Sequence, residues 1–131
     1  MIIAPQVFVY GTLRPGGSNG FRMDSFRWIG PAAVNGHLYK VSWYPGLVLD
    51  ENAGKVIGDL YEVSENGLAI LDDFEGSEYK RVWTAVHNAI GEAQSAWLWE
   101  WNKPSEGLQL VSCGDWLMVN HSVTADDAPL D

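Results

Sequence analysis

The sequence predicts an α+β fold: a mixed, curved sheet closing into a small β-barrel, with few helices. Three observations point there. Short apolar runs bounded by glycine, proline and asparagine recur along the chain, as strands between turns do. One segment alone has helical periodicity together with a start signal. The order is strands, one clear helix, then more strands, which places helix and sheet in separate parts of one domain.

Val7-Phe8-Val9-Tyr10 is an apolar run ended by glycine and reads as a buried strand. Gly11 to Gly20 is a loop, punctuated by Pro15, Gly16, Gly17 and Asn19, and a short helix is expected near Phe21 to Phe26. Val34 to Val41 is strand-like, Tyr44-Pro45-Gly46 marks a turn, and Leu47-Val48-Leu49 is the next strand. Glu51-Asn52-Ala53-Gly54 is a hairpin turn leading into a strand from Lys55 to Val63. Ser64 is suited to cap a helix, since its hydroxyl can accept an orphan amide of the first turn. Val63 and Leu68 occupy the two positions of a hydrophobic staple, and Leu68, Leu71 and Phe74 continue the apolar stripe. Tyr79 to His87 and Ser95 to Trp101 read as strands joined by a turn at Asn88 to Glu92. On the second of these, Trp97, Trp99 and Trp101 share one face, because side chains alternate along a strand. Gly114-Asp115-Trp116-Leu117 reads as one helical turn.

The 131 residues suit one domain, expected over 1–120, followed by an acidic tail over 121–131 that carries Asp126, Asp127 and Asp131. With 47% hydrophobic and 19% charged residues, a packed interior is easily supplied. The formal net charge of −9 argues against a nucleic-acid partner, which requires a basic face. No apolar run is long enough to span a bilayer, and Met1-Ile2-Ile3-Ala4-Pro5-Gln6 lacks the basic region of a secretory signal. The expectation is a cytoplasmic protein with no membrane partner. Cys113 is the single cysteine, so no intramolecular disulfide can form; it reads as a small hydrophobe rather than a nucleophile. The seven tryptophans and five tyrosines can fill a β-rich core or wall a pocket.

Two stretches could carry chemistry. In Tyr10-Gly11-Thr12-Leu13-Arg14-Pro15-Gly16-Gly17, a glycine directly after a buried strand lets the backbone turn tightly and offer amides to a carboxylate or an oxyanion. The Gly-Lys-Ser/Thr ending of a phosphate-binding loop is missing, and an ordinary Gly/Pro loop is the plain alternative. In Leu71-Asp72-Asp73-Phe74-Glu75-Gly76, three carboxylates crowd the negative end of a helix dipole. They are solvated, or bind a hard cation, or include one carboxyl held apart with a raised pKa.

These stretches belong to a longer pattern. Val7 to Gly16, Tyr44-Pro45-Gly46-Leu47-Val48, Val56-Ile57-Gly58-Asp59-Leu60-Tyr61-Glu62-Val63, Leu71 to Gly76, Tyr79-Lys80-Arg81 and Gly114-Asp115-Trp116 resemble, in this order, the motifs of γ-glutamylcyclotransferase-like (AIG2-like) proteins. The stretch from Lys103-Pro104 to Trp116 is especially similar to small bacterial members. The resemblance implies a small β-barrel with flanking helices and a cofactor-free, metal-free enzyme. That enzyme would cyclise a γ-glutamyl group to 5-oxoproline and release an amine or amino acid. It implies Glu75 as the general acid/base and Tyr10, Gly11, Thr12 and Leu13 as the loop contacting the γ-glutamyl group. Tyr79 is a further candidate for a hydrogen bond to substrate or to Glu75. Asp72 and Asp73 are expected to be solvated or structural, and Arg81 to pair with an acid of its own domain. Gly17 to Arg27 matches none of the motifs and is a candidate for shaping the leaving-group side.

The partner is then a small γ-glutamyl compound: glutathione, a γ-glutamyl amino acid or amine, or the γ-glutamyl-ε-lysine isopeptide. The sequence leaves the choice among them and the oligomeric state open. A non-catalytic module that binds a small carboxylate on the same fold is the alternative. An interaction domain using exposed tryptophans is a third.

Overall fold

The computed structural model describes residues 4–118. The acidic tail expected over 121–131 lies outside them. The strands are β1 (Gln6–Val9), β2 (Arg27–Lys40), β3 (Pro45–Leu49), β4 (Lys55–Glu62), β5 (Tyr79–Asn88), β6 (Ala93–Trp101) and β7 (Gln109–Leu110), with one α-helix, α1 (Glu65–Glu75). The order β2-β4-β1-β6-β5 closes on itself where Ala32 and Ala33 of β2 pair with Asn88 and His87 of β5. All these pairings are antiparallel except β1 with β6, so the barrel is mixed, as the sequence predicts.

The β2 strand is much longer than its apolar run, Val34 to Val41, suggests. Gly30 and Pro31 break the strand pattern, yet Pro31 sits opposite Asp59 beyond an irregularity in register between Trp28 and Gly30. Bulges are where a sheet tolerates a residue without an amide hydrogen. The far half of β2 leaves the barrel and carries β3 and β7 as a small second sheet. This bend sets the β2–β3 turn beside the open end of β1.

Side-chain alternation divides the apolar residues between two cores. Phe8, Val34, Val56, Leu60, Val86, Ala96 and Leu98 belong to one cluster, drawn from every strand of the closed barrel. Their neighbours Val7, Val9, Tyr61 and Trp99 point to the other face, where Leu68 and Leu71 of α1 cover them. Burying a leucine of this size contributes about 1.5–3 kcal/mol, so α1 is held chiefly by this stripe. Its start is the expected one: the Gly67 amide donates to Ser64 Oγ at 2.9 Å, and both Val63 and Leu68 are buried. Its end is Gly76, whose φ of 77° lies in the left-handed region, with its amide donating to the Asp72 carbonyl. The chain therefore turns sharply straight after Glu75.

The helix expected near Phe21 to Phe26 is a single 3-10 turn over Gly20–Met23. The turn expected at Gly114 to Leu117 begins at Trp116, with Asp115 accepting from the amides of Leu117 and Met118. Among the described residues, no helix is long and apolar enough to cross a membrane.

Candidate active site

A cavity of about 350 Å³ opens where the end of β1, the β2–β3 turn and the end of α1 meet. Tyr10, Gly11, Thr12, Leu13, Glu75 and Tyr79, the residues singled out from the sequence, all line it. They come from segments far apart in the chain, and the turn at Gly76 together with the bend of β2 brings them together.

The loop after β1 is built to present backbone. Its carbonyls are used internally: Gly11 accepts from the Arg14 amide at 3.1 Å, and Thr12 from the Asn19 amide at 2.8 Å. None of these loop bonds uses the amides of Gly11, Thr12 or Leu13. Glycine is required at position 11, because a Cβ there would sit 2.6 Å from Pro45 Cγ. That close approach sets the loop against the β2–β3 turn. Thr12 Oγ1 accepts from Asn19 Nδ2 at 3.2 Å, and Leu13 is buried against α1.

Tyr10 contributes its ring. Its buried hydroxyl donates to the Trp99 carbonyl at 2.7 Å and accepts from the Leu47 amide at 3.2 Å, joining β6 to β3. Burial raises its pKa well above the usual tyrosine value. The Tyr79 hydroxyl donates to the Pro45 carbonyl at 2.6 Å and not to Glu75. Desolvation first, then the Glu75 carboxyl, push its pKa far upward, so it stays protonated. Tyr79 thus buttresses the β2–β3 turn while its ring walls the cavity.

The acidic stretch separates cleanly in space. Asp72 accepts from Trp99 Nε1 at 2.9 Å and pairs with Arg81 Nε at 3.2 Å, tying α1 to β6 and β5. This is the structural role and the Arg81 pairing that the sequence suggests. Asp73 is exposed. Glu75 lines the cavity together with Phe74 and Tyr79, and among the described residues no basic side chain lines it. Desolvation raises its pKa from 4.5 to about 7. Of the three acids, the one at the helix end is poised to exchange a proton near neutrality. Neither His37 nor His87 lines the cavity.

The sequence reading did not single out Trp43 and Glu78, which form part of the cavity mouth. Trp43 precedes the Tyr-Pro-Gly turn and Glu78 directly precedes Tyr79; proximity to motif residues was the available signal. Conversely, no residue of Gly17 to Arg27 lines the cavity. That segment packs on α1 instead, with Phe26 against Gly67 and the Arg22 guanidinium 4.5 Å from the Phe74 ring centroid.

A buried ion network that the sequence did not reveal stands behind the loop. Arg14 donates from Nε to Asp59 Oδ2 and from Nη1 to Asp115 Oδ1, both at 2.8 Å, while Trp28 Nε1 donates to Asp59 Oδ1 at 3.0 Å. Three of the motifs read from the sequence thus meet at a single guanidinium.

The comparisons agree with this architecture. The family model "Gamma-glutamyl cyclotransferase, AIG2-like" matches residues 7–118. The chain is 34% identical over 115 residues to the γ-glutamylcyclotransferase family protein YtfP of Escherichia coli, covering 86% of this chain and 96% of that one. It is 40% identical over 76 residues to the γ-L-glutamyl-butirosin B γ-glutamyl cyclotransferase of Niallia circulans, covering 56% of this chain and 47% of that one. The crystal structure of an AIG2-like protein from Mus musculus superimposes with a TM-score of 0.78 at 26% identity, covering 88% and 89% of the two chains. Motifs, barrel and matches coincide over the same residues, and the chain belongs to the AIG2-like γ-glutamyl cyclotransferase family.

Proposed function

We propose that this protein is an enzyme that cyclises a γ-glutamyl group to 5-oxoproline and releases an amine, with Glu75 as the general acid/base. The observation that carries the reading is the Glu75 carboxyl, set in an aromatic cavity opposite a loop with free amides and poised near pH 7. The family supports it, as does the similarity to the γ-L-glutamyl-butirosin B γ-glutamyl cyclotransferase of Niallia circulans.

The reaction is an intramolecular aminolysis. The substrate's α-amine attacks its own γ-carbonyl carbon, the new C–N bond closes a five-membered lactam, and the old C–N bond breaks. Overall the attacking nitrogen gives up two protons and the leaving nitrogen gains two. One carboxylate within reach of both can relay them, taking from the ammonium and then giving to the leaving amine. A group near pH 7 suits this relay, because the ammonium it deprotonates has a pKa of about 8. The amides of Gly11, Thr12 and Leu13 supply fixed dipoles for the α-carboxylate or for the oxyanion. The walls of Phe74, Tyr79 and Tyr10 hold the flexible glutamyl chain folded, which lowers the entropic part of the barrier. The chemistry requires neither an enzyme nucleophile nor a cofactor.

The direct test is incubation with a panel of γ-glutamyl amino acids, peptides and amines, with 5-oxoproline followed by mass spectrometry. Release from at least one compound is expected. Inactivity across the panel combined with saturable 5-oxoproline binding would establish the carboxylate-binding module instead.

The pH profile offers a second check. The base form of Glu75 is lost as pH falls through about 7. Accordingly, kcat/KM should drop about tenfold per pH unit below that point, rather than below the ordinary carboxylate value near 4.3. An acid limb breaking near pH 4.5 would assign the proton transfer to a different, solvated group.

A further inference from the structure

We propose that Asn19 and Arg22, which stand outside the cavity, are positioning residues that set the polarity of the Thr12 hydroxyl, so that its hydrogen is presented to an oxygen of the bound γ-glutamyl group. The inference rests on the reading above, which assigns this cavity to that group.

Both residues belong to the segment that matches none of the motifs read from the sequence and lines no part of the cavity. The segment is nevertheless seated on the loop after β1. The Gly17 amide donates to the Arg14 carbonyl and the Asn19 amide to the Thr12 carbonyl, both at 2.8 Å. Glycine allows this approach: a Cβ at position 20 would stand 2.7 Å from the Arg14 carbonyl oxygen, and one at position 17 would overlap the Thr12 carbonyl. At the far end, Met23 is buried with Leu13, Leu68 and Leu71, and the Arg22 guanidinium covers Phe74. The segment is thus a strap tied both to the loop and to the end of α1.

Three side chains on this strap and loop form a line of donors and acceptors whose direction is fixed at its outer end. Arg22 Nε donates to Asn19 Oδ1 at 3.0 Å, and because a guanidinium only donates, the amide must turn its oxygen to Arg22. The amide nitrogen is left for Thr12, and Asn19 Nδ2 donates to Thr12 Oγ1 at 3.2 Å. With a lone pair of Oγ1 taken, the hydroxyl keeps its hydrogen for a different partner. Among the described residues no acceptor takes that hydrogen, although Thr12 is only 9% exposed and lines the cavity. A buried donor without an acceptor is costly, and a ligand oxygen in the cavity would satisfy it. The hydroxyl therefore joins the Gly11 to Leu13 amides as a donor that is oriented before the substrate arrives.

5-Oxoproline tests this without turnover, because it keeps both the carboxylate and the former γ-carbonyl of the group. Its Kd is measured by calorimetric titration at about 0.5 M salt, which screens an added charge. Thr12→Val should weaken binding about tenfold, and Thr12→Ser, which keeps the hydroxyl, less than about threefold. Asn19→Asp should also weaken it about tenfold, since a carboxylate only accepts and draws the Thr12 hydrogen to itself. In the Thr12→Val background the same change should alter Kd by less than about twofold, whereas a merely structural Asn19 would cost the same in both backgrounds. Equal losses in the two backgrounds, or an unchanged Kd in Asn19→Asp, overturn the inference. If the expected pattern appears but no γ-glutamyl compound is turned over, the positioning role stands and the proposed activity falls. Where turnover is found, kcat/KM should follow the same pattern, and indifference to Asn19→Asp overturns the positioning role alone. A parent that neither binds 5-oxoproline nor turns over any γ-glutamyl compound overturns both.

Discussion

The Glu75→Gln variant is expected to lose at least about a thousandfold in kcat while binding 5-oxoproline nearly as well as the parent. Glutamine keeps the size and hydrogen-bonding capacity of the side chain but cannot exchange a proton at neutral pH. Asp73→Asn, on the exposed side of the same helix end, should change kcat by less than about twofold, and the pair separates proton transfer from general acidity of the segment. Glu75→Gln should also be more stable than the parent at alkaline pH. Because the folded protein raises the Glu75 pKa from 4.5 to about 7, the neutral form is favoured in the folded state. That contribution is fully present below pH 4.5 and is lost as pH rises through about 7. Relative to the parent, Glu75→Gln should therefore gain roughly 1–2 kcal/mol between pH 5.5 and pH 8.5, or about 5 °C in Tm. Thermal melts at the two pH values read this directly. A variant that keeps its activity, or gains no stability on the alkaline side, would remove Glu75 from the role assigned to it.

Arg14→Met is expected to be the most destabilising of the substitutions considered. Arg14 is 8% exposed and Asp59 6% exposed, and the guanidinium is the shared partner of Asp59 and Asp115. Removing it leaves the buried Asp59 carboxylate without a counter-charge, which typically costs about 3–5 kcal/mol. Urea unfolding should show this as a large fall in midpoint with little change in slope. Because Arg14 directly follows Leu13, the loss should reach the Gly11 to Leu13 loop as well, and kcat should fall in the fraction that remains folded. Arg27→Ala provides the control: its pair with Glu62 lies on the surface, where water already solvates both charges, and the midpoint should hardly move. A similar, small response from both arginines would mean that the buried network contributes nothing particular to the fold.

The elements that were legible in the sequence are those whose cause is local. Ser64 caps α1 because its own hydroxyl reaches Gly67, and Val63 and Leu68 staple the same turn. Strands β1, β4, β5 and β6 follow from apolar alternation and turn residues within a few positions of their ends. Where the cause is distant, the reading fell short. Pro31 is tolerated in β2 only because β4 lies alongside a register irregularity. The two-residue β7 exists because β2 offers it an edge. The Phe21 to Phe26 segment is shaped by packing on α1, which its own pattern does not disclose.

By itself, the sequence determined the family and the α+β class and pointed to residues that line one cavity, because ordered motifs and local periodicity are written along the chain. Tertiary structure decided which of the acids faces the cavity. Asp72, Asp73 and Glu75 are alike in type and nearly adjacent. Helical rotation and the turn at Gly76 send Asp72 to Trp99 and Arg81, Asp73 to solvent, and Glu75 into a place dry enough to raise its pKa to about 7. Desolvation depends on what other segments bring near a group, and Phe74, Tyr79 and the β2–β3 turn meet around Glu75 only when the barrel has closed.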